Sequence, residues 1–159
     1  MGDSAPFDLD SLTLTEIIRL QNQLSATLTR RFERPYALVF SDIVGSTAYF
    51  SRYGDEAGGR LQQQHVDLLT DSMIGTLGQF FHTAGDGALL GFPTVEMAAD
   101  TMVLFHQSLR QLTYRLAQEQ QWTTRAAIHW GPVLIDGTTV AGDTVNLCAK
   151  VTATAQPGE

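Results

Sequence analysis

Cysteine is almost absent from this chain. Cys148 stands alone among 159 residues, so no intrachain disulfide framework can hold the fold together. The four histidines show no zinc-type spacing with it, which removes a structural zinc site as well. Positive charge is scarce too, with 10 Lys and Arg against 17 Asp and Glu and a formal net charge of -7. Nonspecific binding to a nucleic-acid polymer runs on clustered Lys and Arg, so composition argues against that partner. A single nucleotide is still compatible with the charge, because a cation can neutralise its phosphates locally. No uninterrupted apolar run approaches a bilayer span, and no basic, apolar leader opens the chain. Direct membrane insertion is therefore not expected, and a cytoplasmic setting is.

With 43% hydrophobic residues, the chain can bury one sizeable core but hardly two. Met1 to Ser11 read as a loose acidic lead-in. Thr13-Leu-Thr-Glu16 fits a capping box, and Ile17, Leu20, Leu24, Leu28 and Phe32 recur at helical steps, predicting one amphipathic helix ending near Arg31. That helix either docks on its own domain or pairs with its copy. Residues 1–34 are accordingly set apart from a domain over 35–159.

The chemistry centres on two stretches, Leu38-Val-Phe-Ser-Asp-Ile-Val-Gly-Ser-Thr47 and His82-Thr-Ala-Gly-Asp-Gly87. In each, an apolar run ends in a carboxylate followed at once or shortly after by glycine, as when a strand delivers an active-site aspartate to a turn. If the two strands are neighbours, Asp42 and Asp86 reach one sheet edge. Two unpaired charges about 4 Å apart repel by roughly 4 kcal/mol at an effective dielectric near 20, so such a pair needs a shared proton or a cation. Oxygen ligands suit magnesium or manganese, and the glycine turn after Asp42 can offer backbone N–H groups to a phosphate. Taken singly, either aspartate reads more simply as a turn or capping residue.

The remaining pattern predicts a short helix over Ala48 to Tyr53 and a second starting near Asp55 or after Gly59. The inward face of that second helix would be Leu61, His65, Leu68, Leu69, Met73 and Leu77, with His65 a core-edge residue. A hairpin over Gln79 to Phe92 carries Asp86, and a third helix runs from Thr94 toward Gln118. A strand covers Thr124 to Trp130, ended by Gly131 and Pro132, and a small hairpin turns at Asp136-Gly137. A last helix over Thr144 to Ala153 puts Asn146 and Lys150 on one face. The order amounts to a ferredoxin-like α+β fold: a mostly antiparallel sheet with a βαββαβ core and helices packed on one face.

Four ordered blocks carry a resemblance: Phe40-Ser-Asp-Ile-Val-Gly-Ser-Thr47, Thr83-Ala-Gly-Asp-Gly87, Arg125-Ala-Ala-Ile-His-Trp-Gly-Pro-Val133, and Gly142-Asp-Thr-Val-Asn-Leu-Cys-Ala-Lys150. Together they resemble the catalytic domain of class III nucleotidyl cyclases, the adenylyl and guanylyl cyclase family. The resemblance implies conversion of ATP, or less readily GTP, to a 3',5'-cyclic monophosphate and pyrophosphate. It also implies two divalent cations, Mg2+ or Mn2+, and active sites at the interface of a homodimer or of two related cyclase domains. Asp42 and Asp86 resemble the metal aspartates, with the Ile43 carbonyl as a further ligand and the Val44, Gly45, Ser46 and Thr47 backbone near the phosphates. His82 and Thr139 stand at the base-recognition positions. Asn146 matches the ribose-positioning asparagine, and Lys150 replaces a transition-state arginine; these last four would come from the partner chain.

Several features depart from the family pattern. Lysine lacks arginine's planar fork, a loss comparable to one transition-state donor at roughly 3 kcal/mol, or about a hundredfold in rate. His82 stands where adenylyl cyclases usually have lysine, which leaves the base preference open. The interval from Val133 to Gly142 is short, and the text stops at Glu159 where family members continue, suggesting a domain truncated at its C-terminus. The alternative is a degenerate cyclase-like domain serving as a nucleotide-sensing or dimerising module. A diguanylate cyclase or polymerase palm shares the two-aspartate physics but leaves the Gly142 to Lys150 block unused.

Overall fold

The structure, a computed structural model, describes residues 8–159; most of the lead-in, residues 1–7, lies outside them. Thr13 caps the first helix, α1 (Leu14–Phe32), by the expected reciprocal bonds with Glu16. No α1 residue is buried, and Leu14, Ile17, Leu24 and Leu28 all stand exposed. Strand β1 (Glu33–Ile43) follows directly.

Helix α2 (Ser46–Ser72) is two helical pieces joined at Gly54, whose φ of 84° and ψ of 170° no helix contains. That break falls between the two helices expected there, and glycine tolerates it without a Cβ clash. Leu61, His65 and Leu69 point into the core as anticipated. Leu77 does not: α2 ends at Ser72, and Leu77 sits 69% exposed in the following turn. Strands β2 (Gln79–Ala84) and β3 (Gly87–Phe92) form the hairpin, and α3 (Val95–Tyr114) starts from a Thr94 cap. It stops short of the expected Gln118, and a single 3-10 turn leads on toward β4.

Strand β4 (Thr124–Asp136) runs straight through Gly131 and Pro132, which were expected to end it. Proline is tolerated there because β5 pairs only with Leu134 to Asp136, so that side of β4 is a free edge at Pro132, whose carbonyl instead accepts the Thr144 hydroxyl at 2.7 Å. A Cβ on Gly131 would lie 2.8 Å from that same Thr144 Oγ1, so the glycine lets the last helix approach the strand. The short β5 (Thr139–Ala141) pairs back on β4, and α4 (Asp143–Thr154) closes the described chain.

All strands are antiparallel, in the order β2-β3-β1-β4-β5. The first four are the ferredoxin-like arrangement, with α2 and α3 on one face over Val39, Ile43, Leu90 and Phe92. Helix α4, outside that unit, covers the other face through Cys148 against Leu38, Phe81 and Leu89. Thr144, Cys148 and Thr152, four residues apart, form its buried stripe. The sheet curls strongly enough that Gln79 on one edge strand hydrogen-bonds the Gly137 carbonyl beside the other.

Candidate active site

Asp42 is the penultimate residue of β1 and pairs in register with Gly87, which follows Asp86. Neighbouring strands thus bring both carboxylates to one end of the sheet, as the sequence led us to expect. Alternation along β1 sends Ser41 toward α2 and Asp42 toward the α4 face. The turn between β2 and β3 is Gly85-Asp86, with Gly85 at a φ of 62° that favours glycine. Ser46, in the first turn of α2, donates its hydroxyl to Asp86 Oδ2. Asp42 Oδ2 accepts from Arg125 Nη2 at 3.0 Å and Nε at 3.2 Å, while Arg125 Nη1 reaches the Ala153 carbonyl of α4 at 3.2 Å.

Burial raises the pKa of Asp42 above the ordinary aspartate value, the Arg125 hydrogen bond opposes that, and the charge of Asp86 raises it again. The guanidinium therefore offsets only part of what desolvation and the second carboxylate impose. Ser46 binds Oδ2 of Asp86 and Arg125 binds Oδ2 of Asp42. Among the described residues no group of three His, Cys, Asp or Glu side chains gathers around a common point. Two carboxylates with a nearby main-chain carbonyl still fit magnesium or manganese, which keep several waters and share phosphate oxygens with a bound nucleotide.

Beneath the carboxylates lies a buried polar pair. Ser41 is fully buried, His65 is 2% exposed, and Ser41 Oγ lies 2.9 Å from His65 Nε2. Burial pulls the His65 pKa down to about 4, opposed by the charge of Asp86 and a hydrogen bond to its main chain. The ring is neutral at pH 7 and packs against Phe105 and Trp122, with centroids 5.8 Å and 6.2 Å away.

The other candidates are placed less compactly. Ile43 is buried at the end of β1, and the Val44 amide is committed to the Thr123 carbonyl at 2.9 Å, so it is not free for a phosphate. Gly45 adopts a left-handed φ of 74° as the N-cap of α2, and the first helical bond runs from Tyr49 to its carbonyl. The Ser46 and Thr47 amides precede that bond and have no intrahelical partner. Asn146 and Lys150 are exposed on the outer side of α4, away from its buried stripe. His82 and Thr139 are exposed on the two edge strands, which the curl of the sheet brings toward each other.

Sequence reasoning missed Arg125, Ser46 as a side-chain partner of Asp86, and the Ser41–His65 pair. Only the first had a legible signal: Arg125 opens one of the four blocks, and strand register sets it opposite Asp42.

No family model matches the chain. A search of solved structures finds an adenylate/guanylate cyclase/hydrolase from Silicibacter pomeroyi at 24% identity and TM-score 0.67, covering 79% of this chain and 73% of that one. This is a class III nucleotidyl cyclase fold. A bacterial light-regulated adenylyl cyclase superposes on the same fold with TM-score 0.67 at 19% identity, over 76% of this chain and 70% of that one. The dimeric guanylyl cyclase domain of RhoGC from the fungus Blastocladiella emersonii gives 0.65 at 20% identity, over 79% and 78%. Among curated proteins, "Putative adenylate cyclase 3" of Rhizobium meliloti (strain 1021) is 24% identical over 123 residues. The match covers 77% of this chain but only 21% of that relative, so the chain corresponds to about a fifth of its length.

The cyclase fold leaves the paired carboxylates open to their surroundings. A groove of 190 Å³, lined by His65, Gly85, Asp86 and Gly87, lies beside the second of them. A larger cleft of 590 Å³, lined by His106, Arg110 and Trp122, contains neither. No helix among the described residues is long and apolar enough to cross a membrane.

Proposed function

We propose that this chain is the catalytic domain of a purine nucleotide cyclase, acting as a homodimer or with a related cyclase domain. It would convert ATP, and less readily GTP, to the 3',5'-cyclic monophosphate and pyrophosphate. The observation that carries this reading is the juxtaposition of Asp42 and Asp86 across adjacent strands of a cyclase fold, close enough that the charge of one raises the pKa of the other.

In the reaction the 3'-oxygen forms a bond to the α-phosphorus, the bond from that phosphorus to the departing pyrophosphate breaks, and the 3'-hydroxyl gives up its proton. Asp42, Asp86 and the Ile43 carbonyl would hold two Mg2+ or Mn2+ ions, which supply positive charge to the triphosphate and acidify the attacking hydroxyl. The Gly45 turn and the free Ser46 and Thr47 amides receive phosphate oxygens at the start of α2. Asn146 orients the ribose, which is a proximity effect. Lys150 meets the charge that builds on the phosphoryl oxygens. His82 and Thr139 meet the purine edge.

The exposure of two of the proposed site residues supports a partner chain. Asn146 and Lys150 lie on the outer side of α4, and neither hydrogen-bonds a carboxylate among the described residues. A second copy presenting its α4 to the Asp42 end of this sheet assembles the complete set.

The test is conversion of ATP and, separately, GTP with manganese, over protein concentrations spanning dimerisation, beside Asp42→Asn. Product that rises faster than linearly with protein and vanishes in the variant is the expected result. Equal traces from both proteins would sink the reading. Nucleotide binding without turnover would favour the regulatory module instead.

A further inference from the structure

We propose that His65 is a positioning residue that sets the spacing of the Asp42 and Asp86 carboxylates by tying the strand carrying one to the turn carrying the other. The inference rests on the reading of those carboxylates as a cation site and concerns what holds them in place.

The turn that presents Asp86 is flanked by Gly85 and Gly87, residues that restrict the backbone least. Pairing of Gly87 with Asp42 fixes the base of the turn, and holding the Asp86 carboxylate itself falls to anchors outside the hairpin. The structure supplies two, both from α2: Ser46 bonds the Asp86 side chain, and His65 lines the same groove as Gly85, Asp86 and Gly87. His65 Nε2 is engaged with Ser41 Oγ at 2.9 Å, which leaves the other ring nitrogen for Asp86. A neutral imidazole has one N–H and one acceptor nitrogen. The arrangement that satisfies every atom has the Ser41 hydroxyl donating to Nε2 and the Nδ1 N–H donating to the Asp86 carbonyl. Ser41 immediately precedes Asp42, so one ring spans from the residue beside the first carboxylate to the backbone of the second.

Burial makes this link stiff. Ser41 and His65 are both more than nine-tenths buried, and Phe105 and Trp122 pack the ring in place. Solvent cannot substitute for either partner there, so the bonds persist or the groups are left unpaired. The arrangement parallels outer-shell support in metal sites, where groups behind the ligands set their orientation.

The test uses the full chain, the substitutions Ser41→Ala, His65→Gln and His65→Leu, and two readouts without nucleotide. The first is Mn2+ affinity from the paramagnetic resonance signal of free manganese; the second is amide exchange at Gly85, Asp86 and Gly87. His65→Leu is expected to weaken Mn2+ binding at least tenfold and to speed exchange in the turn, Ser41→Ala to do both to a smaller extent, and His65→Gln to recover part of each. Should His65→Leu fail to fold, the comparison of Ser41→Ala with wild type decides. Folded variants with wild-type Mn2+ affinity and unchanged turn exchange overturn the proposal. Asp42→Asn separates the two layers. If wild type shows no Mn2+ binding that Asp42→Asn removes, the cation reading fails, and turn exchange alone then judges the clamp.

Discussion

Raising the pH should loosen the helix that carries Asn146 and Lys150 by a predictable amount. Cys148 lies between them in sequence but on the opposite, buried side of α4, fully inaccessible, with its thiol 3.5 Å from the Leu38 carbonyl and 3.6 Å from that of Ala127. Burial pushes its pKa from 9.0 up to about 11. The unfolded chain therefore loses the thiol proton first, and between those two values the native state holds more protons than the unfolded state. Stability from this group is complete below pH 9 and falls as pH rises, reaching a full loss above pH 11. Two pH units give roughly 3 kcal/mol, and about half of that is already lost at pH 10. Urea unfolding of wild type and Cys148→Ala at pH 8 and pH 10 isolates the effect, since the other titrating groups are common to both. At pH 8 the variant is the less stable, having lost buried contacts. By pH 10 wild type should have moved toward it, or past it, by roughly 1 kcal/mol. An unchanged difference between the two proteins would refute the argument that burial, and not a local accident of α4, governs this thiol.

Other outcomes follow from the same geometry. Lys150→Arg restores a planar fork to the phosphate position, and kcat should rise by up to about a hundredfold with little change in KM, read in the manganese assay. Mixing Asp42→Asn with Asn146→Ala, each inactive alone, should recover cyclic product, because one of the two interface sites in a mixed dimer is intact; silence in the mixture would argue against shared sites. Gly91→Ala should destabilise the domain by about 1–3 kcal/mol in chemical denaturation, since its Cβ would lie 2.5 Å from Phe81 and 2.7 Å from Tyr36. Removing residues 1–34 strips away the exposed Leu14, Ile17, Leu24 and Leu28 stripe and should weaken self-association in sedimentation experiments.

Much of the molecule was determined by sequence alone, wherever local chemistry is strong. The capping box at Thr13 and Glu16, the hairpin turning through Gly85-Asp86 and the Asp136-Gly137 turn all formed where the residues require them. The break in α2 at Gly54 and the buried stripe of α4 likewise follow from glycine and from residues four apart. Both carboxylates were visible as strand-end aspartates beside glycines. Tertiary structure decided the rest. Pro132 continued a strand because the short β5 leaves that side of β4 unpaired, and Leu77 fell outside a helix that ended earlier than its periodicity suggested. The contacts that give the site its character join residues far apart in the chain: Arg125 with Asp42, Ser46 with Asp86, His65 with Ser41. Periodicity reports which face of an element is buried, but the partner of a buried polar atom depends on strand register and on which helix lies above it. Hence His65 could be read as a core residue from sequence, and only the fold shows its ring bonded to Ser41, next to one aspartate, and lining the groove beside the other.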